Sequence, residues 1–459
     1  MNSGHRQFVF KPQGGILDQP ILQPHNYYLI RELQNLNMPY ETIVGRTKED
    51  LEKFGNKAIG YIGKHIVGTG EDAHLTTKVF IDLLRPHIIL ISGKRGTGKS
   101  YVAGTIAEEI SSLPEEFKNS LAVVMIDTMG IFWSLKHSNE QQSNLLKEWN
   151  LQPKGFENVK VYVPFKQIEE FQKANIPVDG GISITPYEFS AENWRLAFNL
   201  SATEKTGIAL EKNVNELLQT EEKFTIEDLI TKIRDDKETS LEVKDALGNM
   251  LTVANQWGVF GTQGIDIEKI IEAGKISIVD VSHLRATEAW SVRNFLVAIL
   301  ARKIYQARVI ARKKEELAML SGEKIEKKFP VVWLIIDEAH NFCGTEPSVS
   351  LNPLLTIAKQ GREPGISLVV ITQMPAKIHQ DVLSQCDLVF SHRLTSRDDL
   401  QALHAVYQTY MAEELWKYIN QLPRWPGSCI VLDDNLEKVF LVDVRPRLSH
   451  HAGGTAAVI

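Results

Sequence analysis

The sequence predicts an α/β protein, with a mainly parallel sheet as its core and a helical subdomain inserted into it. Three observations carry this. Short apolar runs alternate with helix-length segments, the pattern of strands covered on both faces. The first of these runs flows into a glycine-rich turn and then a helix. Residues 190–265 switch to helical spacing and capping signatures, with no strand-like run between them.

Each element follows in order. Residues 1–56 are rich in Pro, Gly and Asn and read as a short, mostly non-β region, with helices expected at 27–36 and 50–54. Thr47, with Asp50 three residues on, caps the second. The core divides into residues 57–189 and 266–449. Its first strand is 87–92, followed by a helix over 101–110. A second strand, 121–126, ends at Asp127, and a third, more alternating, covers 159–163. In the insertion, Ser190 precedes a helix over 191–200, and Ser201 with Glu204 and Thr225 with Asp228 form capping boxes. Leu217, Leu218, Leu229, Ile230 and Ile233 supply the apolar face. The core resumes with a strand at 275–281, a long helix over 290–317, and strands at 331–336, 367–371 and 388–390. A hairpin joins 428–432 to 438–444 around Asp433-Asp434-Asn435, and residues 450–459 form a loose tail.

Composition narrows the function. Hydrophobic residues make up 43% and charged residues 24% of 459, a globular mix that excludes fibrous and disordered classes. No apolar run approaches the roughly 20 residues that span a bilayer, so no membrane partner is expected. No secretory leader pattern follows Met1, and three dispersed cysteines (Cys343, Cys386, Cys429) form no paired motif, which suits a reducing cytoplasm. The net charge of −6 confines any nucleic-acid site to a local patch. The best candidate is 302–328, where nine Lys/Arg face four Glu, a net of +5 suited to phosphate contacts.

Gly93-Lys94-Arg95-Gly96-Thr97-Gly98-Lys99-Ser100 matches G-x-x-x-x-G-K-[ST] in full, between an expected strand and an expected helix. Glycines let backbone N–H groups converge on phosphates, and the helix start offers its positive dipole end. Lys99 is expected at the β- and γ-phosphates and Ser100 on Mg²⁺, with Tyr101 completing the nucleotide-binding set. An N-K-x-D base motif is missing (Asn56-Lys57-Ala58-Ile59 does not fit), which favours ATP.

The run ending in Asp337-Glu338 places two carboxylates at a strand tip, where doubly wound sheets bind ligands. Asp337 is expected in the Mg²⁺ shell and Glu338 as the general base for water. Gln373, ending the run 367–371, is expected to sense the γ-phosphate. Arg362, in the loop Gln360-Gly-Arg-Glu-Pro-Gly365, is expected to stabilise transition-state charge on a neighbouring subunit's ATP.

At these residues the chain resembles the HerA/FtsK superfamily of P-loop motor ATPases, most closely its HerA branch. The matching segments are the phosphate loop, Ile336-Asp-Glu-Ala-His-Asn-Phe342, Gln360-Gly-Arg-Glu-Pro-Gly-Ile366, Ile371-Thr-Gln-Met-Pro375, Asp381-Val-Leu-Ser-Gln-Cys386 and Arg445-Pro-Arg-Leu-Ser-His450. Asp127-Thr-Met-Gly130 and Pro186-Tyr-Glu-Phe-Ser190 also match. The resemblance implies a RecA-like core forming a hexameric ring with ATP sites between subunits. It further implies translocation on double-stranded DNA through a central pore, with a nuclease or other effector as partner, in DNA-end processing or antiviral defence. Two departures stand out. Residues 1–56 are too short for the family's N-terminal β-barrel, and Asp-Glu at 337–338 replaces the common Glu-Glu. A second function class is a nucleotide-controlled oligomeric scaffold that organises an effector with little translocation.

Overall fold

One sheet contains all thirteen strands found among the described residues of the computed structural model, which are 41–68, 72–220, 222–284, 292–322, 329–406, 418 and 422–453. The chain divides into two units, residues 1–39 and 40–459. The helix expected at 27–36 falls in the first unit, outside the described residues. Residues 290–291, 323–328 and 454–459, parts of the expected long helix, basic stretch and tail, also lie outside them.

The strands are β1 (Thr42–Val44), β2 (Ile59–Val67), β3 (His74–Asp82), β4 (Ile88–Ser92), β5 (Leu121–Asp127), β6 (Val159–Pro164) and β7 (Gly180–Ile182). They continue with β8 (Ile276–Asp280), β9 (Val331–Ile336), β10 (Ile366–Thr372), β11 (Leu388–Ser391), β12 (Ser428–Asp433) and β13 (Lys438–Val444). Their order is β1-β3-β2-β13-β12-β11-β4-β10-β9-β5-β8-β6-β7. From β11 to β7 every pairing is parallel. The β12–β13 hairpin and the β2–β3 pair extend the sheet antiparallel. Every residue of β4, β5 and β10 is buried, which is why these strands read as unbroken apolar runs rather than alternating ones. One face is covered by the helix Lys99–Ser112, whose Val102, Ile106 and Ile110 join Ile89, Ile91, Met125, Ile335 and Val369 in the core. Each such aliphatic side chain contributes roughly 1.5–3 kcal/mol on burial.

The nine strands expected from the sequence all form, and the 428–444 segment is the antiparallel hairpin foreseen. The β2–β3 pair was not foreseen. Its alternation is broken by Gly60, Gly63, Lys64, Thr76, Thr77 and Lys78, and two register shifts interrupt the pairing. Gly63 is there for space, since a Cβ would lie 2.2 Å from the Asp443 carbonyl oxygen on β13. Between β7 and β8 lie the helices Ala191–Ala197, Lys205–Gln219, Ile226–Asp235 and Leu241–Asn255 and the single-turn helix Ile267–Ile270. Ser190 and Thr225 cap their helices as expected. The Ser201–Glu204 capping box does not form. Glu204 is itself the N-cap, its amide donating to the Ser201 carbonyl at 3.4 Å, and a Cβ on Gly207 would lie only 2.1 Å from that carbonyl oxygen. An aromatic cluster fastens the first of these helices to the long helix Val292–Ser321: Trp194 meets Phe295 at 5.1 Å, with Phe189 on Phe295 at 4.5 Å and Phe260 stacked on Trp194 at 5.5 Å. Each such pair contributes about 0.5–1.5 kcal/mol beyond its buried area.

Two buried charge networks tie distant segments together. Glu108 is fully buried and accepts from Arg445 Nη1 at 2.9 Å and Arg447 Nε at 3.3 Å, with Ser449 and the Leu448 amide on the same carboxylate. In the second network, His87 Nδ1 meets Asp387 Oδ2 at 2.8 Å and its Nε2 stands 3.4 Å from Asp82 Oδ2. Asp82 in turn takes the Arg46 guanidinium. Burial opposes charge on His87, but Asp387 and Asp82 outweigh it and raise its pKa from 6.5 to about 9. Its contribution to stability is therefore fully present below pH 6.5 and lost as pH rises through about 9. Thermal denaturation followed from pH 7 to 10 is expected to show a falling midpoint, with a shallower fall in His87→Gln. Parallel curves for the two proteins would refute this assignment.

Candidate nucleotide-hydrolysis site

The phosphate loop begins where β4 ends and closes into the helix Lys99–Ser112. Gly96 and Gly98 have φ of 78° and 115°, conformations that L side chains rarely adopt. At Gly93 a Cβ would stand 2.6 Å from both His392 Cβ and Thr97 Oγ1, so the loop can run there only without a side chain. Gly98 is the N-cap and supplies no side-chain cap, which leaves the first helical N–H groups available to an anion. Lys94, Arg95 and Gly96 are exposed, Thr97 and Ser100 half-buried, and Lys99 buried. The Lys99 ammonium donates to the Lys94 carbonyl at 2.9 Å. Burial lowers its pKa against the opposing pull of Glu338 and Asp337, which places both carboxylates within electrostatic reach of the loop.

Those carboxylates follow β9, and β10 lies between β9 and β4. Gln373, at the tip of β10, is thereby set between the phosphate-loop strand and the acidic strand. Its Nε2 donates to Glu338 Oε1. Glu338 Oε2 is buried and makes no hydrogen bond among the described residues. His340 Nδ1 stands 3.4 Å from that oxygen and 3.1 Å from Thr372 Oγ1. Burial lowers the His340 pKa, partly offset by Glu338. Glu338 is held at φ 46°, a left-handed conformation uncommon outside glycine. Asp337 is buried, with Oδ2 accepting from Thr128 Oγ1 at 3.1 Å; burial and then Glu338 push its pKa up to about 6. A carboxylate kept so short of partners suits a divalent cation, as do the half-buried hydroxyl of Ser100 and the uncapped helix start for ATP phosphates.

Two contributors escaped the sequence reading. Thr128 fixes Asp337, and its signal is the polar Asp127-Thr128 that ends an apolar strand. Asp127 itself turns the chain there, accepting the amides of Gly130, Ile131 and Phe132, each at 2.8 Å. His392, following β11, is fully buried beneath the loop glycines; Ser428 holds its Nδ1 at 3.0 Å, and burial lowers its pKa to about 4. Nothing in the local sequence marks it.

Other expected site residues lie elsewhere. Tyr101 turns toward the C-terminal segment, its hydroxyl donating to Gln142 Oε1 at 2.8 Å and accepting the Arg447 amide at 2.8 Å. Arg362 precedes β10, at the end of the sheet away from the phosphate loop, roughly 20 Å away along the strand. Within one chain it does not meet Lys99. In the basic stretch, Arg302, Lys303 and Arg308 are spent on packing: they donate to the carbonyls of Glu188, Ile265 and Pro364. Lys313 and Lys314 remain exposed and Arg312 half-buried. No helix among the described residues is long and apolar enough to cross a membrane.

The family profile described as "Helicase HerA, central domain" matches residues 61–300. The chain is 27% identical over 189 residues to the DNA double-strand break repair helicase HerA of Pyrococcus furiosus, covering 38% of this chain but only 33% of that one. It is 25% identical over 386 residues to the probable DNA double-strand break repair helicase HerA of Methanocaldococcus jannaschii, covering 76% of this chain and 71% of that one. Among solved structures, VirB4 of Thermoanaerobacter pseudethanolicus superposes with a TM-score of 0.52 over 85% of this chain and 98% of its own, at 13% identity, a likeness of fold.

Proposed function

The chain belongs to the HerA helicase family of P-loop ATPases, and from that premise we propose that it is an ATP-hydrolysing ring motor that moves along double-stranded DNA. The observation that carries this reading is Glu338, half-buried, with one oxygen held by Gln373 and the other, itself buried, making no hydrogen bond among the described residues. A phosphate loop that only binds nucleotide has no use for an oriented, half-satisfied carboxylate; hydrolysis has. Lys99 and the loop amides bind the β- and γ-phosphates. Ser100 and Asp337 would hold Mg²⁺, which when bound neutralises phosphate charge. Glu338 takes a proton from the attacking water through Oε2, and Gln373 keeps the carboxylate oriented and reports on the γ-phosphate.

Arg362 acts in trans under this reading. Its place at the far end of the sheet leaves it no route to its own phosphate loop, whereas head-to-tail packing in a closed ring brings that end against a neighbour. A hexamer with double-stranded DNA in its pore and a nuclease or other effector docked on it completes the proposal, supported by family membership and by the relatives' described role in double-strand break repair. Because the basic helix spends three of its cations on packing, DNA contacts fall to its outward-facing end and to other pore residues.

The test is ATP turnover by the assembled protein with and without duplex DNA. Several-fold stimulation that weakens as salt is raised is expected, because phosphate contacts release counterions. Turnover indifferent to DNA in a demonstrated ring would sink the motor reading.

A further inference from the structure

Arg362 is not a free surface arginine. Its Nη2 lies 3.3 Å from Asp387 Oδ1 and donates to the Gln385 carbonyl at 3.3 Å. Nε and Nη1 have no intrachain partner among the described residues. The side chain is half exposed and lines an open groove of about 430 Å³ together with Lys359, Arg312 and Lys313, with Glu316 and Glu363 also on its wall. One prong of the guanidinium fork is anchored and the other faces the groove. That arrangement suits two-pronged recognition of a phosphate brought from outside.

The anchor is unusually rigid. Asp387 is buried, and both oxygens of its carboxylate are held by hydrogen bonds. Oδ1 takes the Ile88 amide at 2.8 Å as well as Arg362; Oδ2 takes His87 Nδ1 at 2.8 Å and Asn435 Nδ2 at 3.3 Å. His87 is itself braced by Asp82, and Asp82 by Arg46. An exposed arginine paired with a surface carboxylate would gain little and wander. Here the carboxylate is fixed by three other groups before the arginine arrives.

We propose that Asp387 is a positioning residue for catalysis in trans: locked by His87 and the Ile88 amide, it holds one edge of the Arg362 guanidinium so that the other edge meets the γ-phosphate bound to the neighbouring protomer. This rests on the ring reading above and adds a residue to it. Asp387 never touches nucleotide; it acts through Arg362 alone.

A double-mutant cycle on the full-length oligomer tests this, with kcat and KM for ATP measured for the parent, Asp387→Asn, Arg362→Ala and the double variant. Arg362→Ala is expected to lower kcat about 10³-fold, as for other trans-acting arginines. Asp387→Asn is expected to lower kcat at least tenfold with KM within twofold, and to have no further effect in the Arg362→Ala background. A merely structural Asp387 would give the same proportional loss in both backgrounds, and that result overturns the proposal, as does a kcat unchanged or raised in Asp387→Asn. Arg362→Ala turning over at the parental rate would instead remove the trans-arginine reading, and this proposal with it. Should Asp387→Asn fail to assemble, Asp387→Glu makes the same comparison, because it keeps the charge facing His87 while displacing the carboxylate from Arg362.

Discussion

Glu338→Gln is expected to bind ATP as the parent does and to hydrolyse it about 10²–10⁴-fold more slowly, the range spanned by loss of a positioned general base. The substitution keeps size and shape, so Gln373 can still donate to the amide oxygen that replaces Oε1. What disappears is the basic lone pair on the unpartnered Oε2. Lys99→Ala should differ in kind. It removes the ammonium that now rests on the Lys94 carbonyl, and nucleotide binding itself should fail. Equilibrium binding of a labelled nucleotide, alongside single-turnover hydrolysis, separates the two. A Glu338→Gln protein retaining a tenth or more of the parental rate would exclude Glu338 as the base and point to His340 or to a group from a neighbouring chain.

The largest loss of stability should come from Glu108→Ala. Glu108 lies on the helix that follows the phosphate loop and is fully buried, with Arg445 and Arg447 both on its carboxylate. Removing it strands buried guanidinium charge, a change that costs about 3–5 kcal/mol in comparable buried pairs. Arg445 retains Glu109, at 2.6 Å, whereas Arg447 loses its only carboxylate among the described residues. No small repair is available on the helix. Gly104 lies directly under Arg447, and a Cβ there would come within 2.7 Å of the guanidinium carbon. Denaturant unfolding of Glu108→Ala against the parent measures the loss; a difference below 1 kcal/mol would mean the arginines find other partners.

How much of this was legible beforehand follows from where the information resides. The parallel strands were readable because burial on both faces leaves continuous apolar runs, and the phosphate loop because its spacing is dictated by backbone geometry. Asp337, Glu338 and Gln373 could be placed at one edge of the sheet since each ends such a run. The β2–β3 pair was not readable: its glycines and lysines are there to let β13 approach and to face solvent, which erases the alternation. His392 and Asp387 were invisible for another reason. Each is held in place by a partner far along the chain, Ser428 for His392 and His87 for Asp387, and no local pattern encodes such a pairing. Arg362 could be singled out, but its surroundings, a groove and a locked carboxylate, exist only once β4 and β11 lie side by side.

The Glu108 network also bears on how the chain acquires its shape during synthesis. Arg447 is made 339 residues after the glutamate it neutralises. At roughly 5–20 residues per second, that is a delay on the order of half a minute. Until then the helix behind the phosphate loop carries a carboxylate with no cation to justify its burial, and β2 has no β13 beside it. The nascent chain therefore holds its nucleotide-binding motif in an unfinished setting. A translation product truncated before this segment lacks the cations that let this helix settle against the sheet.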